Sequence, residues 1–429
     1  MKPSKTNHQQ GRLFEQRLSD QLNPKDELCI LAEIINWKAL EDEFQSMFVG
    51  DAGAPAKPVR LMVGMILLQQ MYGLSDESVV YQWVENPYWQ LFCGFDYLQW
   101  KFPAHPTTLG KWRKRLGENG IGKIHTILIQ TAIQSGAIKK TSLEKVIVDT
   151  TVMPKAITFP TDSKLYLKGI QKLVSFAKGN GINLRQSYKR VALRVSRRIG
   201  KYQHSRQYKK ARKEINRLRT YLGRLLREVM REIDNDPVLK KRAAAPVTLM
   251  GKIYLQQKED KNKVYSVHEP TVECISKGKS HKKYEFGCKA AIVVTHKENF
   301  VLSSKALHGT PYDGHTLKES LKVSEEASGV KIKEAFVDRG YRGHGVKEVK
   351  VEMARNMKKM HWRKRKELGR RQAIEPIIGH MKSDGKMGLN YLKGKIGDKI
   401  NACLSGVGQN MRYLVNFLRS ARYCPVPSG

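Results

Sequence analysis

The sequence predicts an α/β protein in which an all-α N-terminal part precedes an α/β part with a helical insertion. Between residues 28 and 135, apolar residues recur at intervals of three and four, the spacing of amphipathic helices. Short runs of β-branched residues then predict buried strands, the first of them over residues 145–153. A second helical pattern at residues 164–234 interrupts the strand-like part and predicts the insertion.

The composition favours a folded protein that binds a polyanion. The chain has 429 residues, 40% of them hydrophobic, which is enough apolar material for a sizeable core and argues against disorder throughout. Its 78 Lys and Arg outnumber its 40 Asp and Glu, which gives a formal net charge of +38. A monomeric metabolic enzyme rarely carries so much self-repelling charge, whereas a field of this sign attracts nucleic acid.

Cysteine usage and hydropathy predict a cytoplasmic, nucleoid-associated protein with no membrane partner. No two of the six cysteines lie within four residues of each other, which excludes zinc-finger spacing and favours reduced thiols. The N-terminal residues lack the apolar core of a signal peptide. The longest apolar run, near residues 61–68, is far shorter than the roughly 20 residues that span a bilayer.

The N-terminal part is predicted to consist of a mobile polar segment, residues 1–27, and a helical domain, residues 28–140. Downstream of Pro106, the sequence LGKWRKRLGENG predicts a short basic helix that a pair of glycines closes. Short helices with a basic last member can form a helix-turn-helix DNA reader, in which Lys111 and Arg113 would contact DNA. A plain helical bundle is the alternative.

The insertion is predicted to be an antiparallel helical hairpin with one strongly positive face. Residues 183–232 contain 17 Lys and Arg but three Asp and Glu, a surplus of 14 positive charges. A face of nearly one sign is costly unless phosphates neutralise it, so we expect it to bind a nucleic-acid backbone. A solvated charged face is the alternative. The predicted contacts are Arg197, Arg198, Lys209, Lys210, Arg212 and Lys213.

Two strand-like segments, VIVD and AFVD, both end in an aspartate, Asp149 and Asp338. Ligands of α/β sheets bind at the carboxyl ends of strands, so neighbouring strands of this kind would bring two hard oxygen ligands together. Carboxylates in this arrangement suit Mg²⁺, which completes its shell with water and phosphate oxygens. Capping or turn roles for the two aspartates are the plain alternative.

A third acidic candidate, Glu375, lies in a segment with helical spacing. Arg371, Glu375 and Lys382 fall on one face of a helix at 100° per residue. This face is either an ordinary surface with salt bridges, or it places a metal-binding carboxylate between two cations that bind phosphates. Pro376 indicates that the helix begins near Glu375 or kinks there.

The remaining pattern completes the expected α/β part. Residues 250–310 predict strands, among them a hairpin that turns at His296–Asn299, and residues 346–371 are basic and irregular. Helices are predicted over His315–Glu326 and over residues 371–386 and 398–422.

At the level of motifs, the sequence resembles the DDE transposases of bacterial insertion sequences and is most similar to insertion-sequence family five. The resemblance extends from about residue 28 to 420. Its motifs are VIVDTTV at 146–152, EFGCKAAIVV at 285–294, GTPYDGHTL at 309–317, AFVDRGYRG at 335–343 and RRQAIEPIIGHMK at 370–382.

The resemblance implies an RNase H-like catalytic domain over residues 141–422, with residues 164–234 as a basic helical insertion. The three catalytic, metal-binding acids of the family map onto Asp149, Asp338 and Glu375. Arg371 and Lys382 match the Arg and Lys of the family's Tyr-Arg-Glu-Lys signature, and they would bind DNA. The Tyr position of that signature is Leu368 here. Beside Asp338, Arg339 is a further DNA contact and Tyr341 a supporting residue.

The implied function is binding of terminal inverted repeats, metal-dependent strand cleavage and strand transfer into target DNA. Two Mg²⁺ ions, which Mn²⁺ can replace, would serve an in-line displacement at the scissile phosphate. The expected partners are double-stranded DNA and, on that DNA, a second copy of the chain. A domesticated, non-catalytic DNA-binding repressor and a structure-specific nuclease on the same fold are the alternatives.

Overall fold

A computed structural model describes residues 15–45, 47, 55–234, 236–276, 283–353 and 361–423. The chain divides into two units. Unit 1 comprises Met1–Pro154 with Cys288–Gly429, and unit 2 comprises Lys155–Gly287. The domain boundaries predicted at residues 28, 141 and 164 stay predictions.

Helices make up the N-terminal part of unit 1, as the apolar periodicity predicts. They are α1 (Leu18–Gln21), α2 (Glu27–Ile34), α3 (Trp37–Gln45), α4 (Val59–Met71), α5 (Asp76–Glu85), α6 (Pro87–Phe92) and α7 (Pro106–Gln134). Gly117, with φ 61°, breaks the helical geometry inside α7. The basic helix predicted downstream of Pro106 therefore ends at this glycine. Residues 1–14 of the segment predicted to be mobile lie outside the described residues, and Leu18 is buried.

One sheet is built around the first strand. Its strands are β1 (Lys145–Pro154), β2 (Glu273–Ile275), β3 (Glu285–Thr295), β4 (Val301–Leu307), β5 (Glu334–Val337) and β6 (Lys350–Met353). The order is β2-β3-β1-β5-β6, and β4 also pairs with β3. The predicted hairpin is therefore confirmed: β3 and β4 are antiparallel, and Asn299 in their turn has φ 59°.

Strand directions change at β1. β1 and β3 run in opposite directions, because the His296 amide donates to the Lys145 carbonyl and the Lys155 amide donates to the Phe286 carbonyl. On its other side β1 pairs in parallel with β5, which pairs in parallel with β6. The sheet is therefore mixed, and the protein is of the α/β class.

Four further helices complete unit 1: α12 (Asp313–Ser328), α13 (Trp362–Gly369), α14 (Ile374–Ser383) and α15 (Gly394–Tyr423). Short 3₁₀ segments cover Lys140–Glu144, Arg339–Tyr341 and Arg370–Ala373. The prediction that residues 346–371 are irregular is wrong in part, since β6 and α13 lie within them. Residues 354–360 of that range lie outside the described residues.

Side chains of the central strands alternate between two apolar cores. Val146 and Val148 of β1 pack into the core that the N-terminal helices, α12 and α15 share. Ile147, between them in sequence, points into a second core with Phe336 of β5 and Ile374 of α14. Because side chains alternate along a strand, this pattern fixes which face of the sheet each neighbouring residue occupies.

Unit 2 is mainly helical. Its helices are α8 (Asp162–Gly179), α9 (Lys189–His204), α10 (Tyr208–Ile233) and α11 (Pro237–Leu255). Helices α9 and α10 pack together and are joined by only three residues, which confirms the predicted antiparallel hairpin. The prediction of strands from residue 250 is wrong at its start, because α11 continues to Leu255. No helix among the described residues is long and apolar enough to cross a membrane.

Candidate functional site

Asp149 and Asp338 lie side by side on neighbouring strands. The parallel register pairs Lys145 with Glu334 and Ile147 with Phe336, and its extension by two residues brings Asp149 opposite Asp338. Contrary to the prediction, Asp149 is inside β1 and not at its C-terminal end. The strand continues to Pro154 because β3 pairs with it on the other side. Asp149 nevertheless lies where the parallel pairing with β5 stops.

Both aspartates occupy the face of the sheet that α14 covers. Asp149 follows Ile147 by two residues, and Asp338 follows Phe336 by two, so each shares the face of that apolar residue. Asp338 keeps an extended conformation, with φ −80° and ψ 178°. Its carboxylate accepts a hydrogen bond from the Gly340 amide at 2.9 Å and so caps the 3₁₀ turn that follows.

Glu375 lies in the first turn of the helix that packs on this face. Its neighbour Ile374 is buried in the same core as Ile147 and Phe336, which sets the first turn of α14 over β1 and β5. The Glu375 side chain is exposed. The helix begins one residue before Glu375, after a 3₁₀ turn, in agreement with the start near Glu375 that Pro376 indicates. Pro376 fits in this first turn because backbone amides there need no hydrogen bond within the helix.

The two cations of the predicted signature differ in their placement. Lys382 and Glu375 are seven residues apart within α14 and share one side of it. Arg371 lies in the 3₁₀ turn Arg370–Ala373, so the α-helical spacing used to place it on the same face does not apply to it. Both side chains are half-buried, and Arg339 is exposed.

A fourth carboxylate, Asp313, lies beside the two strand aspartates. One of its oxygens accepts hydrogen bonds from the Thr150 hydroxyl and the Lys289 ammonium, each at 2.9 Å. A methyl group built on Gly340 would lie 3.0 Å from Asp338 Oδ1 and 3.5 Å from Asp313 Oδ2. The carboxylates of Asp313 and Asp338 therefore approach the same glycine. Asp313 was not predicted as a site residue, although the GTPYDGHTL motif contains it.

Tyr341 lies beneath this acidic group. Its side chain is fully buried, and its hydroxyl has no hydrogen-bond partner among the described residues. Burial raises the pKa of Tyr341 strongly, and the negative charges of Asp149, Asp313 and Asp338 raise it further. The charges of all three aspartates therefore act on the same hydroxyl.

The donors that converge here are oxygen atoms. Hard divalent cations such as Mg²⁺ take such ligands, often from only one or two carboxylates. In the described part of the chain, no group of three or more His, Cys, Asp and Glu side chains is arranged to hold a metal ion. The two strand aspartates therefore supply the donor chemistry, and Glu375 is near them in the fold without a described contact to them.

Leu368 occupies the position where the resembled signature has Tyr. Its side chain is 2% exposed and packs in the same core as Ile147 and Ile374. The Leu368 side chain therefore packs α13 against the sheet.

Arg113 requires a correction. Its guanidinium forms a double ion pair with Asp76, at 2.8 and 2.5 Å, and also donates to the Gln69 side chain. Only 9% of its side chain is exposed. A guanidinium that is buried and paired in this way is not available to a phosphate, so the predicted DNA contact is wrong for Arg113. Lys111, two residues earlier in α7, is exposed.

The predicted cations of the helical hairpin are all on its surface. Arg197 and Arg198 lie on α9, and the others on the first turns of α10; all six side chains are exposed. The apolar residues Val195, Ile199 and Leu218 point the other way, into the core of unit 2. Arg198 also pairs with Glu214 at 3.1 Å, one of the three acids of this segment.

Comparison with known proteins defines the class to which the chain belongs. Residues 16–115 match the family described as a transposase domain (DUF772). The uncharacterized protein ORF8 in the nfe locus of Rhizobium meliloti is 46% identical over 208 residues, which cover 48% of this chain and 100% of that relative. The chain belongs to the same family as this protein of Rhizobium meliloti. No solved structure matches the chain.

Proposed function

We propose that the protein is a DDE transposase, most similar to insertion-sequence family five, that cleaves and joins DNA at terminal inverted repeats. The observation that carries the proposal is the placement of Asp149 and Asp338 at the end of the parallel β1–β5 pairing, on the face covered by the helix whose first turn contains Glu375. The transposase-domain match over residues 16–115 supports the class.

The strand order supports an RNase H-like fold for the catalytic part. Strands β4, β3 and β1 form an antiparallel series, and β5 and β6 extend the sheet in parallel with β1. Helix α12 connects β4 to β5, and α14 covers the face that bears the two aspartates. A central sheet with helices packed on it is consistent with the RNase H-like domain that the resemblance implies.

Asp149, Asp338 and Glu375 would hold two Mg²⁺ ions, or Mn²⁺ in their place. The donors are oxygen atoms, and the Tyr341 hydroxyl beside them has no partner in the described part of the chain; both features fit a hydrated, hard cation. Bound there, the metal ions would supply activation of the attacking oxygen and stabilisation of the leaving 3′-oxygen.

Other residues of this chain would orient the acids and the DNA. Lys289 forms an ion pair with Asp313 and donates a hydrogen bond to the Pro311 carbonyl at 2.9 Å. Together these contacts would hold the loop that places Asp313 near Asp338. Arg371 and Lys382, on either side of Glu375 in sequence, would bind phosphates of the cleaved strand. Tyr341 would hold a water molecule through its buried hydroxyl.

The wider DNA contacts belong to the basic surfaces. Lys111 of α7 would contact the inverted repeat, and the exposed cations of α9 and α10 would bind the phosphate backbone. Because an element has two ends, we further propose that two copies of the chain act on the DNA together.

The test is a cleavage assay on end-labelled duplex DNA that carries the inverted repeats flanking the gene, with and without Mg²⁺. The variants Asp149→Asn, Asp338→Asn and Glu375→Gln remove a charge without changing shape. Each should reduce cleavage by more than the roughly 10–100-fold typical of changes outside a metal's direct ligands. Glu326→Gln, an exposed carboxylate on α12, is the matched control and should leave cleavage unchanged.

The three competing functions give different results. Cleavage followed by joining to target DNA supports the transposase. Cleavage without joining favours a structure-specific nuclease, and binding without cleavage in wild type favours a repressor. Full activity in Asp149→Asn would refute the site itself.

A further inference from the structure

A basic cleft in unit 1 is separate from the acidic site. Three segments form it: the 3₁₀ segment Lys140–Glu144 with the adjacent Lys139 and Lys145, the turn between β3 and β4, and helix α13 with Arg370. The cleft has a volume of about 740 Å³. It lies at the end of β1 that begins with Lys145, and so at the opposite end of the β1–β5 pairing from Asp149 and Asp338.

Hydrogen bonds between the three segments fix the walls of the cleft. The Arg370 guanidinium donates to the carbonyls of His296 and Lys297. The His296 ring lies 3.0 Å from the Glu367 carbonyl, which ties the β3–β4 turn to α13. Ser142 donates to Glu298 at 2.7 Å and ties the 3₁₀ segment to the same turn. The cleft is therefore a built feature of the fold and not a gap between loosely placed loops.

The lining of the cleft is almost entirely positive. Among the described residues that line it, Glu367 is the one acid. The cations that line it are Lys139, Lys145, Lys297, Arg363, Lys366 and Arg370. Lys145 forms ion pairs with Glu334 and Glu367, at 3.0 and 3.4 Å. Arg370 donates hydrogen bonds to the carbonyls of His296 and Lys297. The remaining cations are exposed. Charges of one sign held together in this way favour an anionic ligand with several charges.

Trp362 stands at the mouth of the cleft. It is 61% exposed, although large aromatic side chains are usually well buried. The Arg363 guanidinium lies 5.4 Å from the centre of its ring. An exposed aromatic ring between cations is the arrangement that binds single-stranded nucleic acid, because unpaired bases stack on the ring while cations hold the phosphates.

We infer that this cleft binds single-stranded DNA, with Trp362 stacking on an unpaired base and Lys297 and Lys366 contacting phosphates. A duplex is the poorer ligand, since its bases already stack on each other and cannot stack on Trp362. The size of the cleft agrees, because roughly 300–1,000 Å³ is the range of pockets that hold single small molecules, such as individual nucleotides. The inference goes beyond the proposed function and does not depend on the acidic site being active.

The test measures binding of the full-length protein to a fluorescein-labelled oligothymidylate of roughly 20 nucleotides, longer than most single-strand sites. A duplex of the same length is measured in parallel, by anisotropy over a range of KCl concentrations. Trp362→Ala should weaken single-strand binding by roughly tenfold, the loss of one stacked base. Lys297→Gln with Lys366→Gln should lower the slope of log K against log salt by about 1.4, the contribution of two phosphate contacts.

The matched control is Lys322→Gln with Lys331→Gln, which removes the same charge from exposed lysines outside the cleft. This control should change the single-strand affinity less than Trp362→Ala does, and the salt slope less than Lys297→Gln with Lys366→Gln does. Loss of single-strand binding in the cleft variants with unchanged duplex binding supports the inference. Equal losses for single strand and duplex, or no loss, overturn it. Because no cleavage is measured, the result is independent of the assay for the acidic site.

Discussion

The ion pair between Arg113 and Asp76 gives a prediction that separates a structural residue from a DNA contact. Arg113→Ala would leave a carboxylate that is 26% exposed without its cation, and would also remove a partner of Gln69. Breaking a buried pair by removing one member costs about 3–5 kcal/mol, and partial exposure of Asp76 places the loss near the lower value. Since about 1 kcal/mol lowers the Tm of a large domain by roughly 2–4 °C, we expect a decrease of about 6 °C or more.

The assay is thermal unfolding of the full-length protein together with binding to inverted-repeat DNA below the transition. Lys111→Ala, on the same helix but exposed, is the matched control and should change Tm by less than about 1 °C while weakening DNA binding. The reasoning would be refuted by an Arg113→Ala variant that keeps the wild-type Tm and loses DNA affinity. That result would restore Arg113 as the DNA contact that the sequence predicts.

Three further predictions concern buried polar groups of unit 1. Tyr341→Phe should leave the Tm unchanged or raise it, because the hydroxyl has no described partner, yet should slow DNA cleavage if that hydroxyl holds water. Burial lowers the pKa of His125 to about 4, so wild-type stability in urea should fall by about 3 kcal/mol as pH drops from 6.5 to 4, and His125→Gln should lose that dependence. Lys289→Gln should reduce both cleavage and Tm, since it leaves Asp313 unpaired, whereas Lys305→Gln, which breaks the exposed pair with Glu319, should change neither.

The acidic residues on the strands could be predicted because their signal is local. VIVD and AFVD each combine a β-branched or aromatic buried run with an adjacent carboxylate, and the two runs form β1 and β5. Alternation along each strand then determines that Asp149 and Asp338 share a face. The first strand, predicted over residues 145–153, ends at Pro154, and its pairing with β3, more than 130 residues away, is the part that no local pattern indicates.

Asp313 and Arg113 show what local patterns cannot provide. The hydrogen bond from Thr150 to Asp313 spans 163 residues, so nothing near Asp313 in sequence indicates that it joins the acidic group. Arg113 stands in a run of basic residues that looks like a DNA-binding surface. Its inward direction is determined by Asp76, 37 residues away, and by the side of α7 that the core covers.

Helix α11 was missed for a different reason. Pro237 and Pro246 break the expected helical pattern, yet Pro237 occupies the first turn, where no amide hydrogen bond is needed. Asp236 caps this turn by accepting hydrogen bonds from the amides of Val238 and Leu239. Packing of Met250 and Ile253 into the core of unit 2 then stabilises the remainder despite Pro246.

Strand β1 joins the cleft to the acidic residues and sets the separation between them. Along β1, Lys145 and Asp149 share a face and lie four residues apart, about 13 Å at 3.3 Å per residue. At 3.4 Å per stacked nucleotide, this distance corresponds to about four nucleotides. If one DNA strand occupied both places, about four nucleotides would separate the base at the cleft from the phosphate at the acids. Variants of the cleft therefore test single-strand binding, and variants of the acids test cleavage.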